Sequence, residues 1–431
     1  MENDLSIFAS GFHLFVGLIK KEVGGHKFQE RMLKVHAVKL GPNRLFRDCE
    51  DRLFFYLSLF QALLENNGKL YNLHEGARIV PVIANISHNI DKLKSISNID
   101  GHLKSLCRVD CDDVDTVLFE MTVAIAYVSP ANKVEFVQTV KDRKTPDICV
   151  NSSGSVKYIE CKKLQRGSGY AYQEIDSWYA IADELAKVII KNKIPGYFEC
   201  IFKSEIVGAN PKRIIRKVLR KVDRIAKGCG FCVANCKDFR IRFKPIEANK
   251  FNCELDPLRN ISGPSFIEYL TGGYGTQFGY KVIADAKTEG PFVSSVNWAS
   301  VLAWKVTSYA AIQKKARHVK KRLMEAINQL KGTTSGSVHI LVEECNGSAV
   351  YRKRLEKNYE EIMQLNPGEG FDGSVYLHVA KYVVPLNVNY DVEETILSFG
   401  YKNTVPENIG NCWFFWDSAQ AGTGTLFRDH A

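Results

Sequence analysis

The sequence predicts an α/β protein with a mixed sheet, and three observations carry that expectation. Residues 1 to about 110 set apolar side chains at helical spacing and read as a helical N-terminal domain. Two short β-prone runs, ending at Val150 and starting at Val156, then flank Asn151-Ser152-Ser153-Gly154-Ser155, whose small polar residues and glycine suit a hairpin turn. Beyond the hairpin, helical stretches alternate with strand-like runs, the pattern of a sheet layered with helices.

Taken along the chain, Asp48 to Asn66 is helical through Leu53, Phe54, Leu57 and Phe60, as is the stretch from Ile90 to Leu106. Asp112-Asp113-Val114-Asp115 opens an acidic-led helix with Val117, Leu118, Met121, Ala124 and Ile125 on one side, stopped by Ser129-Pro130. Lys133 to Val140 alternates apolar and polar, as a half-buried strand does. After the hairpin, Ala171 to Lys191 reads as a helix ended near Pro195-Gly196, and Tyr197 to Lys203 as a strand. Phe231 to Ala234, Phe239 to Phe243 and Lys281 to Ala284 are short strands. Trp298 to Lys331 reads as one long helical stretch before the strand Val338 to Val342, and Tyr351 to Leu365 as a helix before the strand Val375 to Val384. A chain of 431 residues with 45% hydrophobic content exceeds one usual domain and can fill packed cores. The divisions expected are 1–110, 111–205, 206–295 as an insertion, and 296–431. Two completions of the hairpin's sheet stay open, one by 171–203 and one by 298–342 with about 205–295 inserted.

The hairpin has a chemical consequence. With the turn centred on Ser153, Asp147 and Glu160 lie at nearly equal distances before and after it, so an antiparallel ladder sets them opposite one another. Glu160 and Lys162 are two apart and share a face, because strand side chains repeat with period two. Two carboxylates and an ammonium therefore converge. Such a set suits a hard divalent cation, since Mg²⁺ takes oxygen ligands, usually one or two carboxylates with waters and phosphate oxygens. The lysine beside it is placed to orient or deprotonate a water, or to neutralise charge on a phosphate.

Residue for residue, Pro146-Asp147 and Glu160-Cys161-Lys162 resemble the motif of the PD-(D/E)xK nuclease superfamily. The resemblance is local, and it implies a restriction-endonuclease-like core in the order helix, three-stranded meander, helix, strand, flanked by further helices. It also implies Mg²⁺ (or Mn²⁺) held by Asp147 and Glu160, with Glu120 on the preceding helix assisting and the backbone carbonyl of Cys161 as a further oxygen ligand. Glu135 and Asp142 are alternatives to Glu120. Asp147, Glu160 and Lys162 would be the catalytic residues, and the product would carry a 5′-phosphate. A short motif arises by chance, and its bland reading is a turn-capping Asp147 with a solvated Glu160–Lys162 pair; agreement of helix, strand and turn with the motif favours the site.

The formal charge of +10, from 58 basic and 48 acidic residues, is concentrated. Asn210-Pro211 opens a helical stretch whose Arg213, Arg216, Lys217, Arg220, Arg224 and Lys227 form a band opposite Ile214, Val218 and Ile225. Lys314, Lys315, Arg317, Lys320, Lys321 and Arg322 form a second band. A basic band alone is usually a solvated helix face; two of them near a phosphodiesterase motif match the footprint of nucleic-acid binding.

Other signals are weaker. Cys229, Cys232, Cys236 and Cys253 open with a Cys-x2-Cys spacing, but the rest is irregular and the segment reads as a strand. Asp285-Ala286-Lys287 mimics half of the nuclease motif without a short hairpin partner, and Gly272-Gly273-Tyr274-Gly275 lacks the Gly-Lys-Ser/Thr of a phosphate-cradling loop. No Gly-x-Ser-x-Gly elbow and no His-Glu-x-x-His pair occurs, which removes support from serine and zinc hydrolases. There is no apolar run of membrane-spanning length and no secretory start, so a cytoplasmic location without a membrane is expected, with the 12 cysteines as buried thiols. The resulting expectation is a Mg²⁺-dependent deoxyribonuclease, an endonuclease of restriction or anti-phage defence. Its partners are DNA and either a second copy of the chain or the proteins of a multi-component system. The alternatives are an inactive nuclease-fold module that binds nucleic acid or assembles with partner proteins, and an RNA-directed nuclease.

Overall fold

The computed structural model describes residues 2–37, 51–65, 73–108, 113–138, 145–164, 167–221, 224–225, 231–246, 263–275, 277–289, 292–316, 318–333, 335–344, 347–365, 371–383, 391–402, 404–409 and 424–425. The hairpin forms between β2 (Ile148–Ser152) and β3 (Ser155–Lys163), after β1 (Asn132–Phe136). Ser152 pairs with Ser155, so the loop is the two residues Ser153 and Gly154, both at positive φ (32° and 93°). Two-residue loops of this kind follow the twist of the strands, and glycine accepts the dihedral without steric cost.

β3 is paired on both edges. It runs antiparallel to β2 through Ile148↔Ile159 and parallel to β9 (Gly336–Glu344) through Glu160↔Val338 and Lys162↔Ile340. The sheet continues through β10 (Gly373–Val383), β11 (Asp391–Gly400) and the short β12 (Gly424–Thr425), in the order β1-β2-β3-β9-β10-β11-β12. Between β3 and β9 lies an insertion with its own sheet. Its strands are β4 (Gly196–Phe202), β5 (Phe231–Asn235), β6 (Phe239–Pro245), β7 (Gly279–Glu289) and β8 (Phe292–Val306), ordered β5-β6-β4-β8-β7.

Helices layer both sheets. α1 (Glu2–Val23), α2 (Gly25–Ala37), α3 (Arg52–Leu64), α4 (Leu73–His88), α5 (Ile90–Ser95), α6 (Ile99–Leu106) and α7 (Val114–Tyr127) precede β1. They share one apolar core with Val134, Ile148, Ile159, Cys161 and Leu341 of the seven-stranded sheet. The N-terminal helices are thus a layer on that sheet rather than a separate helical domain, and no core boundary falls at residue 110. α1 meets α4 so closely that a Cβ on Gly11 would come 2.1 Å from the Ser87 carbonyl oxygen.

In the insertion, α8 (Gly169–Lys191), capped by Ser168 Oγ on the Ala171 N–H, and α9 (Pro211–Leu219) cover one sheet face, while α10 (Pro264–Thr271) covers part of the other. The chain then returns through α11 (Tyr309–Lys315) and α12 (Lys320–Leu330), and α13 (Ser348–Met363) joins β9 to β10. α12 and α13 pack on the second face of the seven-stranded sheet through Leu323, Ile327, Val338, Ile340 and Leu377.

Two further expectations change. Residues 196–202 lie in the insertion's sheet, so α12 and β9 complete the hairpin's sheet and the insertion starts with α8, well before residue 206. The stretch from Trp298 is strand to Val306 and becomes helix only at Tyr309 and again at Lys320. Its apolar run is that of an inner strand buried on both faces, which periodicity does not distinguish from a buried helix. Among the described residues no helix is long and apolar enough to cross a membrane.

Buried charge ties the N-terminal layer to the sheet. The Arg78 guanidinium lies 3.0 Å from Glu343 of β9 and 3.2 Å from both Asp115 and Glu75, beside the Tyr56 hydroxyl. Lys163 of β3 reaches Glu343 at 2.7 Å, and Tyr382 donates to the same carboxylate at 2.8 Å. On the same face runs a chain of Tyr127, His339, His378 and Glu394 with contacts of 3.1, 3.0 and 2.9 Å. Burial, then His378 and Lys157, hold the His339 imidazole well below its ordinary pKa, so it is neutral.

Arg78→Met keeps the volume but strands several carboxylates away from water. It should cost about 3–5 kcal/mol, the range for breaking a buried ion pair by removing one partner. Urea unfolding of the full chain measures this; a loss below about 1 kcal/mol would show that the cluster is dispensable.

Candidate active site

The ladder of β2 and β3 extends one step past Ile148↔Ile159 to set Asp147 opposite Glu160, with the Asp147 N–H donating to the Ile159 carbonyl at 3.0 Å. The two carboxylates and Lys162 therefore share the face expected from the hairpin. The Cys161 N–H donates to Asp147 Oδ2 at 2.7 Å, so a backbone donor orients this carboxylate. Lys162 is in direct ionic contact with Glu160 Oε1. Glu160 is fully buried, and its Oε2 has no hydrogen-bond partner among the described residues.

The electrostatics follow from burial and crowding of like charges. Burial, then Glu120, then Glu160 push the Asp147 carboxyl well above its ordinary range, against the Cys161 N–H and Lys162. Burial also raises Glu160, with Lys162 opposing and Glu120 adding to the rise. Glu120 of α7 thus lies within electrostatic reach of both acids, on the element where the resemblance placed a third carboxylate. For Lys162, burial works against the charged form, but Glu160 and Asp147 outweigh it and raise the pKa. A lysine so placed stays protonated at neutral pH. Of the roles open to it, orienting a water and neutralising phosphate charge fit; accepting a proton does not.

His102 had no sequence signal. It sits on α6, stacks on Phe136 at 3.7 Å between ring centroids and places Nε2 3.0 Å from Glu120 Oε2. Eighteen residues separate it from Glu120, so only packing of α6 on α7 makes the pair. Of the alternatives to Glu120, Glu135 lies across from Cys149 on β1, and Asp142 is outside the described residues. Cys161 keeps its side chain in the core beneath the N-terminal helices. Among the described residues, no group of three or more His, Cys, Asp or Glu side chains is arranged to hold a metal ion.

The basic bands are partly dismantled. α9 ends at Leu219 with Arg220 at its cap, and Arg224 follows beyond two undescribed residues, so Arg216, Arg220 and Arg224 do not form one continuous helical stripe. Arg216, Arg220 and Arg224 are exposed and Lys217 is half-buried, whereas Arg213 is held by Asp238 at 2.9 Å; Lys227 lies outside the described residues. Lys315 is buried and paired with Glu174 at 2.6 Å, which removes it from any nucleic-acid surface. Its burial comes from α11 packing on α8, a contact that a charge count along the chain does not reveal. Lys314 is bound to Glu205 at 2.6 Å, Lys320 and Lys321 stand exposed at the start of α12, and Arg317 is outside the described residues.

Asp285 and Lys287 are exposed on edge strand β7, and Asp285 faces Trp298 rather than an acid. Cys107, Cys149, Cys161 and Cys200 are buried free thiols, as expected, whereas Cys236 is half-buried; Cys229 and Cys253 lie outside the described residues. Comparison with family models, with curated proteins and with solved structures finds no match to this chain.

Asp147 carries a raised folded pKa, so its contribution to stability is present at acid pH and is lost as pH rises through that value. Asp147→Asn, which can still accept from the Cys161 N–H, should raise the thermal midpoint above neutral pH, and the gain should vanish near pH 4 as the native carboxyl protonates. Midpoints measured across that range check this; a gain independent of pH would mean that the carboxylate is not destabilised by its neighbours.

Proposed function

We propose that the chain is a Mg²⁺-dependent nuclease with a restriction-endonuclease-like core that hydrolyses DNA phosphodiester bonds as an endonuclease in restriction or anti-phage defence. The observation that carries the reading is Asp147 set opposite Glu160 with Lys162 on the same face and Glu120 within reach. The order helix α7, meander β1-β2-β3, helix α12, strand β9 supports it, because it matches the order that the motif implies. A cytoplasmic location and DNA as partner belong to the same proposal.

The chemistry of the donors suits a hard cation, although Asp147, Glu160 and Glu120 are not gathered into a metal-holding group as they stand. Asp147, Glu160 and Glu120 offer carboxylate oxygens, one of them the orphaned Glu160 Oε2, and their mutual repulsion would be relieved by positive charge. When bound, Mg²⁺ or Mn²⁺ supplies Lewis-acid polarisation of a phosphate oxygen and a more acidic water. The protein's own residues would do the rest. Asp147 and Glu160 hold the site in register through the hairpin, the Cys161 N–H fixes the Asp147 carboxylate, and protonated Lys162 offsets charge that builds on the phosphate. His102 would hold Glu120 in place.

A second reading, a nuclease-fold module without activity that binds nucleic acid or assembles with partners, is favoured by one observation: Lys162 already engages Glu160.

Labelled duplex DNA, single-stranded DNA and RNA incubated with the full chain, with and without Mg²⁺ or Mn²⁺, separate the readings. Metal-dependent cleavage of DNA is expected. Asp147→Ala should abolish it with folding and DNA binding retained, and Lys162→Ala should reduce turnover by roughly 100-fold or more, the scale of one lost charge-stabilising group. Cleavage unchanged in both variants would move the site elsewhere, and no cleavage of any substrate would leave the binding-module reading.

A further inference from the structure

Among the described residues, helices cover one face of the insertion's five-stranded sheet fully and the other in part. Phe239, Ile241 and Phe243 of β6 turn inward beneath α8 and α9. On the outer face α10 covers the half lined by Tyr197, Val296, Ala299 and Val301. Strand alternation along β6 turns Arg240 and Arg242 outward in the other half, with Lys244 beside Tyr197 at the boundary. The register carries the row across, with Arg240 beside Ile201 and Ile201 beside Lys305.

Among the described residues, Arg242 alone of these cations forms an ion pair, with Glu199. Arg242 is 56% exposed, and the acid among them, Glu199, lies 3.8 Å away, too far for a hydrogen bond. Glu199 Oε1 and Arg240 Nε are both buried without a hydrogen-bond partner among the described residues. Lys305 Nζ sits 4.3 Å over the ring of Phe278, setting an aromatic face beside the row.

We propose that this half-face is a docking surface for the phosphodiester backbone of a polynucleotide. Arg240 and Arg242 are two residues apart on one strand, roughly 6–7 Å, and Lys305 lies two strands from Arg240, roughly 10 Å. Guanidinium groups so spread suit successive phosphates, which they bind in bidentate fashion, and an adjoining aromatic ring offers a base a stacking partner. A membrane-docking face would add exposed large apolar side chains to the cations, and none of the exposed ones among the described residues stands here.

Its position fits as well. The row lies at the end of the sheet joined to the core, where the Thr307 N–H donates to the Phe202 carbonyl at 2.8 Å and Lys314 meets Glu205 at 2.6 Å. The chain enters the insertion directly after β3, the strand that bears Lys162. α9 packs Ile214 and Val218 on the opposite sheet face, so its exposed Arg216 and Arg220 cannot engage the same stretch of backbone. The choice of a polynucleotide rests on the nuclease reading; the surface itself does not need the catalytic carboxylates.

The test measures binding of fluorescein-labelled single-stranded and duplex oligonucleotides to the full chain in EDTA, across a salt series. Combined Arg240→Gln, Arg242→Gln and Lys305→Gln should weaken binding about tenfold or more and flatten log K against log salt by about two to three units. Combined Arg216→Gln, Lys217→Gln and Arg220→Gln should change it much less. If the sheet triple variant has a lowered thermal midpoint, exposed Arg242→Gln alone should still flatten the slope by about one unit. Unchanged affinity and slope in the sheet variants would overturn the proposal, as would equal competition by polyglutamate at matched charge. Lost binding in the sheet variants with no cleavage by the unaltered chain would uphold the docking surface and sink the nuclease reading; normal binding with Asp147-dependent cleavage would do the reverse.

Discussion

Strand β3 is held on both edges, antiparallel to β2 and parallel to β9, and much of the molecule depends on that double pairing. An inner strand cannot slip by one residue without turning every side chain to the wrong face. The register set by Ser153 and Gly154 is therefore locked by a strand more than 170 residues away, since Glu160 and Lys162 are fixed against Val338 and Ile340. Alternation then sorts the chemistry. Glu160 and Lys162 share the face on which Tyr158 and Leu164 pack with α12, while Cys161 and Lys163 face the N-terminal helices.

The two faces handle charge differently. Behind the sheet, Arg78 and Lys163 share Asp115 and Glu343 in a closed cluster, so each desolvated charge has partners. Such clusters add little net stability over apolar packing, but they penalise any arrangement that parts them. On the other face Asp147 and Glu160 crowd a single lysine with Glu120 of α7 in electrostatic reach, and the pKa values of Asp147 and Glu160 move upward rather than down. That imbalance is what separates a candidate site from a structural ion pair: the carboxylates are placed where they repel, and a cation or a proton would relieve them.

The insertion is a second layered unit joined at one end of the first. Glu174 on α8 and Lys315 on α11 form a buried pair across the point where the chain leaves and returns, and Arg354 donates to the Lys315 carbonyl from α13. Its five-stranded sheet has its own two cores, so it needs no apolar surface of the seven-stranded unit to fold its strands.

Local rules made the hairpin, its turn residues, the apposition of Asp147 and Glu160, and the helix Val114–Tyr127 legible in the sequence, because each depends on residues within a turn or two of one another. Non-local choices were not legible. Whether residues 196–202 or 336–344 would join β3 turned on pairing across a long insertion, and both segments are apolar strands with equal local claims. Trp298 to Val306 was misread because a strand buried on both faces shows no alternation. Lys315 looked like its exposed neighbour Lys314 until α8 supplied Glu174, and His102 had no visible tie to Glu120 until α6 packed against α7. Backbone periodicity and turn geometry were enough to put Asp147, Glu160 and Lys162 on one face of the hairpin. Which strand completes the sheet, which cations stay in water and which residue braces the third carboxylate were decided only by the tertiary structure, since burial and long-range pairing are properties of the packed chain.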